Sequence, residues 1–211
     1  NKDELNRKPE IKLEDIVLDV IKSLKPYESK YNKNIPVIAA GGIFTGKDIA
    51  KYLKIGASGV QMATRFVATH EWDADIKFKE AYINAKEEDI KIIKSPVGLL
   101  GRAVQNDFLE NYSENEINYC YNCLKNCSPK TAPYCITKAL ISAVSGDVEN
   151  GLIFAGSNVY KVNKIMSVKE LINELLAEIE QCWPFIPPKI QSSPAERSRP
   201  FPTSWILIIS S

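Results

Sequence analysis

Net charge, long apolar runs and histidine are all scarce in this chain of 211 residues. The formal net charge is +1, which argues against a general electrostatic grip on nucleic acid. No apolar run approaches the roughly 20 residues of a membrane span, so no membrane insertion is expected. The opening NKDELNRKPEIK is polar and has no apolar signal core, which speaks against a secretory peptide and for a cytoplasmic location. It begins with Asn, as expected of a chain that lacks its true start. KDEL at residues 2–5 carries no retention meaning, because that signal is read at the C-terminus. The five cysteines are an odd number. With four of them clustered and no secretion signal, they read as thiols or metal ligands and not as a disulfide framework. No internal repeat is visible.

What is present is an ordinary globular balance, 45% hydrophobic and 25% charged. Leu13, Ile16, Val17, Val20, Ile21 and Leu24 recur at spacings of three and four, so residues 12–31 are expected to form a helix with one buried face. PVIAA at 36–40 reads as a strand buried on both sides. Lys47–Ile55 reads as a helix with Thr45 as N-cap and Gly56 as its terminating glycine, and GVQMA at 59–63 as the next strand. Strand, helix and strand at this short spacing form a βαβ unit, the signature of a parallel sheet. Further on, Asp75–Lys86 reads as a helix and KIIKS at 91–95 as a short strand. Residues 114–145 read as two short helices broken by a Cys-rich loop. Ser167–Glu180 reads as a final helix opened by a Ser167/Glu170 capping box. Beyond Glu180 the composition changes: residues 181–211 hold six of the twelve prolines and one acidic residue, Glu196. That segment is expected to be a disordered or aberrant tail, with a docking tail as the alternative.

The stretch IPVIAAGGIFTGKDIAKYLKIGASGVQMATRF, residues 35–66, carries the most chemistry. Gly41 and Gly42 follow a buried strand and precede a helix. Glycine allows an anion to approach the main chain closely, and the amides at a helix start carry partial positive charge. In (β/α)8 barrels a phosphate site is often built by the loops after the seventh and eighth strands. Ala63 and Thr64, at the end of GVQMA, would supply the second half, with the Thr64 hydroxyl and amide as donors. Spacing alone leaves two ordinary βα turns as the alternative.

The segment AAGGIFTGKDIAKYLKIGASGVQMATRF resembles the FMN phosphate-binding segment of the nitronate monooxygenase family, also called 2-nitropropane dioxygenases. The flavin-dependent enoyl-ACP reductase of the second type is a close relative. The resemblance continues through KEAYINAKEEDIKIIKSPVG, GRAVQNDFLE, the Cys-rich loop and NGLIFAGSNVYK to about residue 180. It implies an α/β fold, the C-terminal part of a (β/α)8 TIM barrel with appended helices. Residues 1–180 would form that FMN-binding portion, with the Cys-containing helical segment at about 114–145. Carried over by position, Gly41, Gly42, Ala63 and Thr64 would hold the FMN phosphate, and Gln61 and Met62 would lie at the strand end beside the flavin. The family often has glycine where this chain has Ala63, which narrows the approach slightly but leaves the amide in place.

The family's catalytic histidine follows an upstream Gly-Gly. His70, the one histidine here, sits in ATHEW with no Gly-Gly before it and reads as a surface residue at the start of a helix. The catalytic residue is thus absent from this chain, and the chain alone is not expected to turn over substrate. Arg65 and Arg102 are secondary candidates for an anion, with structural anchoring as their alternative, and the Gly156–Ser157 turn in IFAGSN is a candidate to approach the flavin edge. Cys120, Cys123, Cys127 and Cys135, spaced C-x2-C-x3-C-x7-C, can in principle bind zinc or an iron–sulfur cluster. Tyr119, Tyr121, Leu124, Tyr134 and Ile136 around them look like packing residues, so buried thiols are the alternative.

The function implied is oxidation of alkyl nitronates with O2 by an FMN-dependent oxidoreductase. An NAD(P)H-dependent enoyl-ACP reductase is the alternative enzyme on the same fold. A non-catalytic metal-binding fragment organised by the four cysteines is an alternative of another class. The partners expected are small molecules: a nitronate or enoyl thioester, with O2 or NAD(P)H.

Overall fold

The computed structural model describes residues 12–112, 117, 119–120, 123 and 127–183. In chain order the elements are α1 (Leu13–Tyr31), β1 (Ile38–Ala40), α2 (Gly46–Lys54), β2 (Gly59–Gln61), α3 (Thr64–Val67) and α4 (Ile76–Asn84). They continue with β3 (Ile90–Lys94), β4 (Leu100–Val104), α5 (Asp107–Asn111), α6 (Ile136–Val144) and α7 (Val168–Cys182). The chain divides into two compact units: residues up to Met62 together with those from Ile172 onward, and Ala63–Leu171. The proline-rich tail falls outside the described residues from 184 onward, as does much of the segment between 113 and 126.

The first unit is built on the expected βαβ. β1 and β2 pair in parallel, Ile38 opposite Gly59 and Ala40 opposite Gln61, and the Ser58 amide extends the pairing by donating to the Val37 carbonyl at 2.7 Å. Helix α2 connects them and begins where the sequence places it. Thr45 and Asp48 form a reciprocal capping box, each satisfying an amide that the helix start leaves over. Gly56, with φ +105°, ends the turn after α2. Gly46 is buried against the last turns of α7. A Cβ there would lie 2.6 Å from Glu178 Cβ and 2.9 Å from the Ile179 amide nitrogen, so only glycine allows α2 to start at this depth. Two expectations are corrected here. β1 is not buried on both sides: Ala39 is buried but Ala40 is exposed, since β2 is its only strand neighbour among the described residues. Helix α1 forms as expected, yet Val17 is its one buried residue and Ile16 and Val20 are 44% and 42% exposed. Ile16 lies about 100° and Val20 about 60° round the helix from Val17, on the same side of it, and both miss the contact that Val17 makes.

The second unit has its own core. Val67, Phe78, Tyr82, Ala85, Val104, Ala143, Ile153 and Val159 form one buried cluster, and Ala103, Tyr134, Ala139 and Leu152 a second. The strand expected at KIIKS is β3. Its antiparallel partner β4, from Ile90 opposite Val104 to Lys94 opposite Leu100, was not expected, because LGRAV has no alternating period. Residues 153–155 then run beside β4. Val104 donates to the Ile153 carbonyl at 2.9 Å and Ala155 to the Arg102 carbonyl at 3.0 Å, while Ala103 and Phe154 form an antiparallel bridge. The Tyr82 hydroxyl closes the arrangement by donating to the Phe154 carbonyl at 2.5 Å. Burial holds that phenol well above its ordinary pKa, so it stays a donor throughout the working range. At the end of the unit the expected capping box opens α7. The Ser167 amide and hydroxyl both donate to the Glu170 carboxylate at 2.8 Å, and the Glu170 amide donates to Ser167 Oγ at 3.2 Å.

Two outcomes follow. Tyr82→Phe removes the donor and strands a half-buried carbonyl, which costs about 1–3 kcal/mol; urea melts of the two proteins with equal midpoints would contradict the assignment. The hydrogen bonds from Ser167 hold the Glu170 carboxyl below its ordinary value of 4.5. A depressed acid contributes stability that is full above its unfolded pKa and lost as pH falls through the folded one. The melting-temperature gap between the wild type and Glu170→Ala should therefore narrow as pH drops below 4.5, and a gap that stays constant down to acid unfolding would refute it.

Candidate functional site

The Gly41–Gly42 turn leaves the C-terminal end of β1 with both residues in the left-handed region, φ +105° and +69°. Side chains are disfavoured in that conformation. Both glycines are exposed, and a Cβ built on Gly41 would meet nothing within 4 Å. The backbone here borders open space of the kind a ligand can enter. Because β1 and β2 are parallel and in register, this turn and the exit of β2 emerge at the same end of the pair. At that exit Gln61 is half-buried and Met62 is 3% exposed. The Gly-Gly turn thus presents exposed main chain at that end of the pair.

The start of α2 does not. The Phe44 and Thr45 amides donate to Asp48 Oδ2 at 3.0 and 2.8 Å, and the Gly46 amide donates to Glu178 Oε2 at 2.5 Å. Two carboxylates occupy the positive end of this helix, and their charge opposes a phosphate there. The helix start expected to share in the cradle is already satisfied from within the chain.

The second unit begins with Ala63 and Thr64, which follow Met62 directly. The Ala63 carbonyl accepts from the Phe66 amide at 2.8 Å and from Val67 at 3.2 Å, so α3 opens at Thr64. The Thr64 side chain is half-buried. It packs on Gly156, where an added methyl would overlap Thr64 Oγ1 and sit 3.5 Å from Thr64 Cβ. The turn named in the sequence therefore meets Thr64, and it does so through the only residue type that fits.

The other candidates fall elsewhere. His70 is exposed, and its amide donates to the Met166 carbonyl at 3.0 Å, consistent with a surface residue. An Arg65 guanidinium nitrogen lies 4.0 Å from the Met166 sulfur. Arg102 is exposed, and its carbonyl anchors Ala155. None of the four cysteines is in a disulfide. Cys123 Sγ lies 2.9 Å from Thr137 Oγ1, and among the described residues no group of three or more His, Cys, Asp or Glu side chains is placed to hold a metal ion. Of the neighbours expected to pack, Tyr134 is buried and lies edge-on to Phe108 and Tyr112, with ring centroids 5.1 Å apart in both pairs. Burial pushes its phenol up to about 12. Tyr119 is 68% exposed, while Tyr121 and Leu124 lie outside the described residues. No helix among the described residues is long and apolar enough to cross a membrane.

A probable nitronate monooxygenase of Staphylococcus aureus strain Newman is 42% identical over 83 residues, which are 39% of this chain and 23% of that protein. Among solved structures, FabK from Thermotoga maritima matches with TM-score 0.63 and 30% identity over 82% of this chain and 50% of its own. The nitroalkane oxidase from Streptomyces ansochromogenes matches with TM-score 0.56 and 24% identity over 78% of this chain and 44% of its own, a likeness of fold. The chain thus spans about a quarter of the curated relative and half of FabK. Its fold is α/β, a portion of the TIM-barrel type. The nitronate monooxygenase family model matches residues 2–178, and the chain belongs to that family of oxidoreductases.

Proposed function

We propose that this chain carries the flavin-phosphate site of an FMN-dependent oxidoreductase that oxidises alkyl nitronates with O2. The observation that carries the reading is the exposed Gly41–Gly42 turn, with both residues at positive φ, at the end of a strand in parallel register with β2. It lies within the stretch matched by the nitronate monooxygenase model. In this reading Gly41 and Gly42 offer backbone donors to the phosphate. The amides of Ala63 and Thr64, with the Thr64 hydroxyl, are phosphate ligands carried over by position from the family resemblance. Gln61 and Met62 border the flavin at the strand end. FMN, when bound, supplies the electron transfer between nitronate and O2. The chain's own share is placement: rigid main-chain donors that need no reorganisation when the anion arrives. A cytoplasmic location goes with this reading.

A second reading, NAD(P)H-dependent reduction of an enoyl thioester, is favoured by the likeness to FabK. That likeness covers 82% of the chain, against 39% for the curated nitronate monooxygenase. Flavin-dependent oxidation of NAD(P)H by a crotonyl thioester, with no O2 consumption when a nitronate is added, would select it.

Titration of the purified chain with FMN, followed by flavin fluorescence, tests the phosphate site. Saturable quenching is expected in the wild type. It should be lost in Gly42→Asp, whose carboxylate would face the phosphate, with the far-ultraviolet circular dichroism of the two proteins alike. A folded wild-type chain that shows no saturable quenching, or an unchanged affinity in Gly42→Asp, would overturn the proposal.

A further inference from the structure

We propose that Gly156 is a positioning residue for the phosphate, acting through the Thr64 hydroxyl; this rests on the reading of Thr64 as a phosphate ligand. The path to it is continuous within the second unit. β4 and Tyr82 fix residues 153–155 through the bonds of Val104 to Ile153, Ala155 to Arg102 and the Tyr82 hydroxyl to Phe154. The Phe154 ring is held in turn by Gly101, where a Cβ would come 2.5 Å from the ring. The next residue, Gly156, is thereby delivered against Thr64. The Gly156 carbonyl is itself tied back by the Val159 amide at 3.2 Å.

The contact is selective in what it constrains. A methyl at Gly156 would overlap Thr64 Oγ1, whereas Thr64 Cβ at 3.5 Å and Cγ2 at 4.0 Å would be in ordinary contact. The hydroxyl is the part of Thr64 that must yield. Threonine is branched at Cβ and has few χ1 choices at a helix start. Displacing Oγ1 therefore means rotating it into another well and aiming the hydroxyl elsewhere. The backbone at Gly156 is not in the left-handed region, so alanine is tolerated there apart from this contact. The absence of a side chain at Gly156 is what keeps the hydroxyl in its present rotamer.

A double-mutant cycle separates this role from general packing. Affinities for FMN and for riboflavin, which lacks the phosphate, are measured for the wild type, Gly156→Ala, Thr64→Ala and the double variant. Gly156→Ala is expected to weaken FMN about tenfold, the scale of one hydrogen bond to a charged group, and to leave riboflavin unchanged. In the Thr64→Ala background it should have no further effect, because the atom it displaces is gone. Equal weakening of both flavins by Gly156→Ala, or the same loss with and without Thr64, would overturn the proposal and leave Gly156 a packing residue. If Thr64→Ala weakens FMN and Gly156→Ala does not, the positioning role fails while the phosphate reading stands. If Thr64→Ala leaves FMN affinity unchanged, both fail together.

Discussion

The parallel pairing of β1 with β2 is the constraint from which the candidate site follows. Two parallel strands cannot be joined by a tight turn, so α2 must cross between them, and the two C-terminal ends must then leave the pair at one edge. One of those ends is Gly41–Gly42 and the other is Gln61–Met62, leading straight into Ala63 and Thr64. The phosphate chemistry argued for this chain depends on three residues of register in each strand. A slip by one residue would turn the Gly-Gly exit away from its partner and exchange the buried and exposed faces of β1.

Within the first unit the electrostatics sharpen that picture. A helix start after a Gly-rich turn is a common anion site, but here Asp48 and Glu178 have taken the amides of Phe44, Thr45 and Gly46. The same carboxylates that let α2 begin cleanly, and let Gly46 pack against α7, deny the helix dipole to a ligand. The second unit supplies the complementary device, an absence of bulk. Gly101 admits the Phe154 ring and Gly156 admits the Thr64 hydroxyl, so a backbone segment with little regular structure of its own is held in one place by what packs into the gaps.

Much of this was legible in the sequence because it is local. The Thr45 cap, Gly56 after α2 and the Ser167/Glu170 box each depend on residues within four positions of one another, and the βαβ closes between Ile38 and Gln61. The resemblance carried by AAGGI and GVQMATRF agrees with the family match. The misses share a different cause. Asp48, three residues after Thr45, was a readable capping signal, but that it would compete with a ligand for the helix start emerges only with its partner Glu178, 132 positions from Gly46. β4 was missed because Gly101 and Arg102 break its alternation, and its pairing with β3 is what restores it. The exposure of Ile16 and Val20 was illegible because periodicity marks an apolar face without saying what meets it. The approach of Gly156 to Thr64 joins residues far apart in the chain, and the small-residue turn in IFAGSN was the one hint of it.

The account stands on a main-chain phosphate site, and phosphorus NMR of FMN mixed with the chain interrogates that atom directly. A phosphate held by backbone amides and the Thr64 hydroxyl is stabilised as its dianion. The account therefore predicts a shifted phosphorus resonance, with a titration midpoint below that of free FMN. A resonance that titrates as in free FMN while the ring fluorescence is quenched would mean that the chain grips the flavin without its phosphate, and would contradict the account.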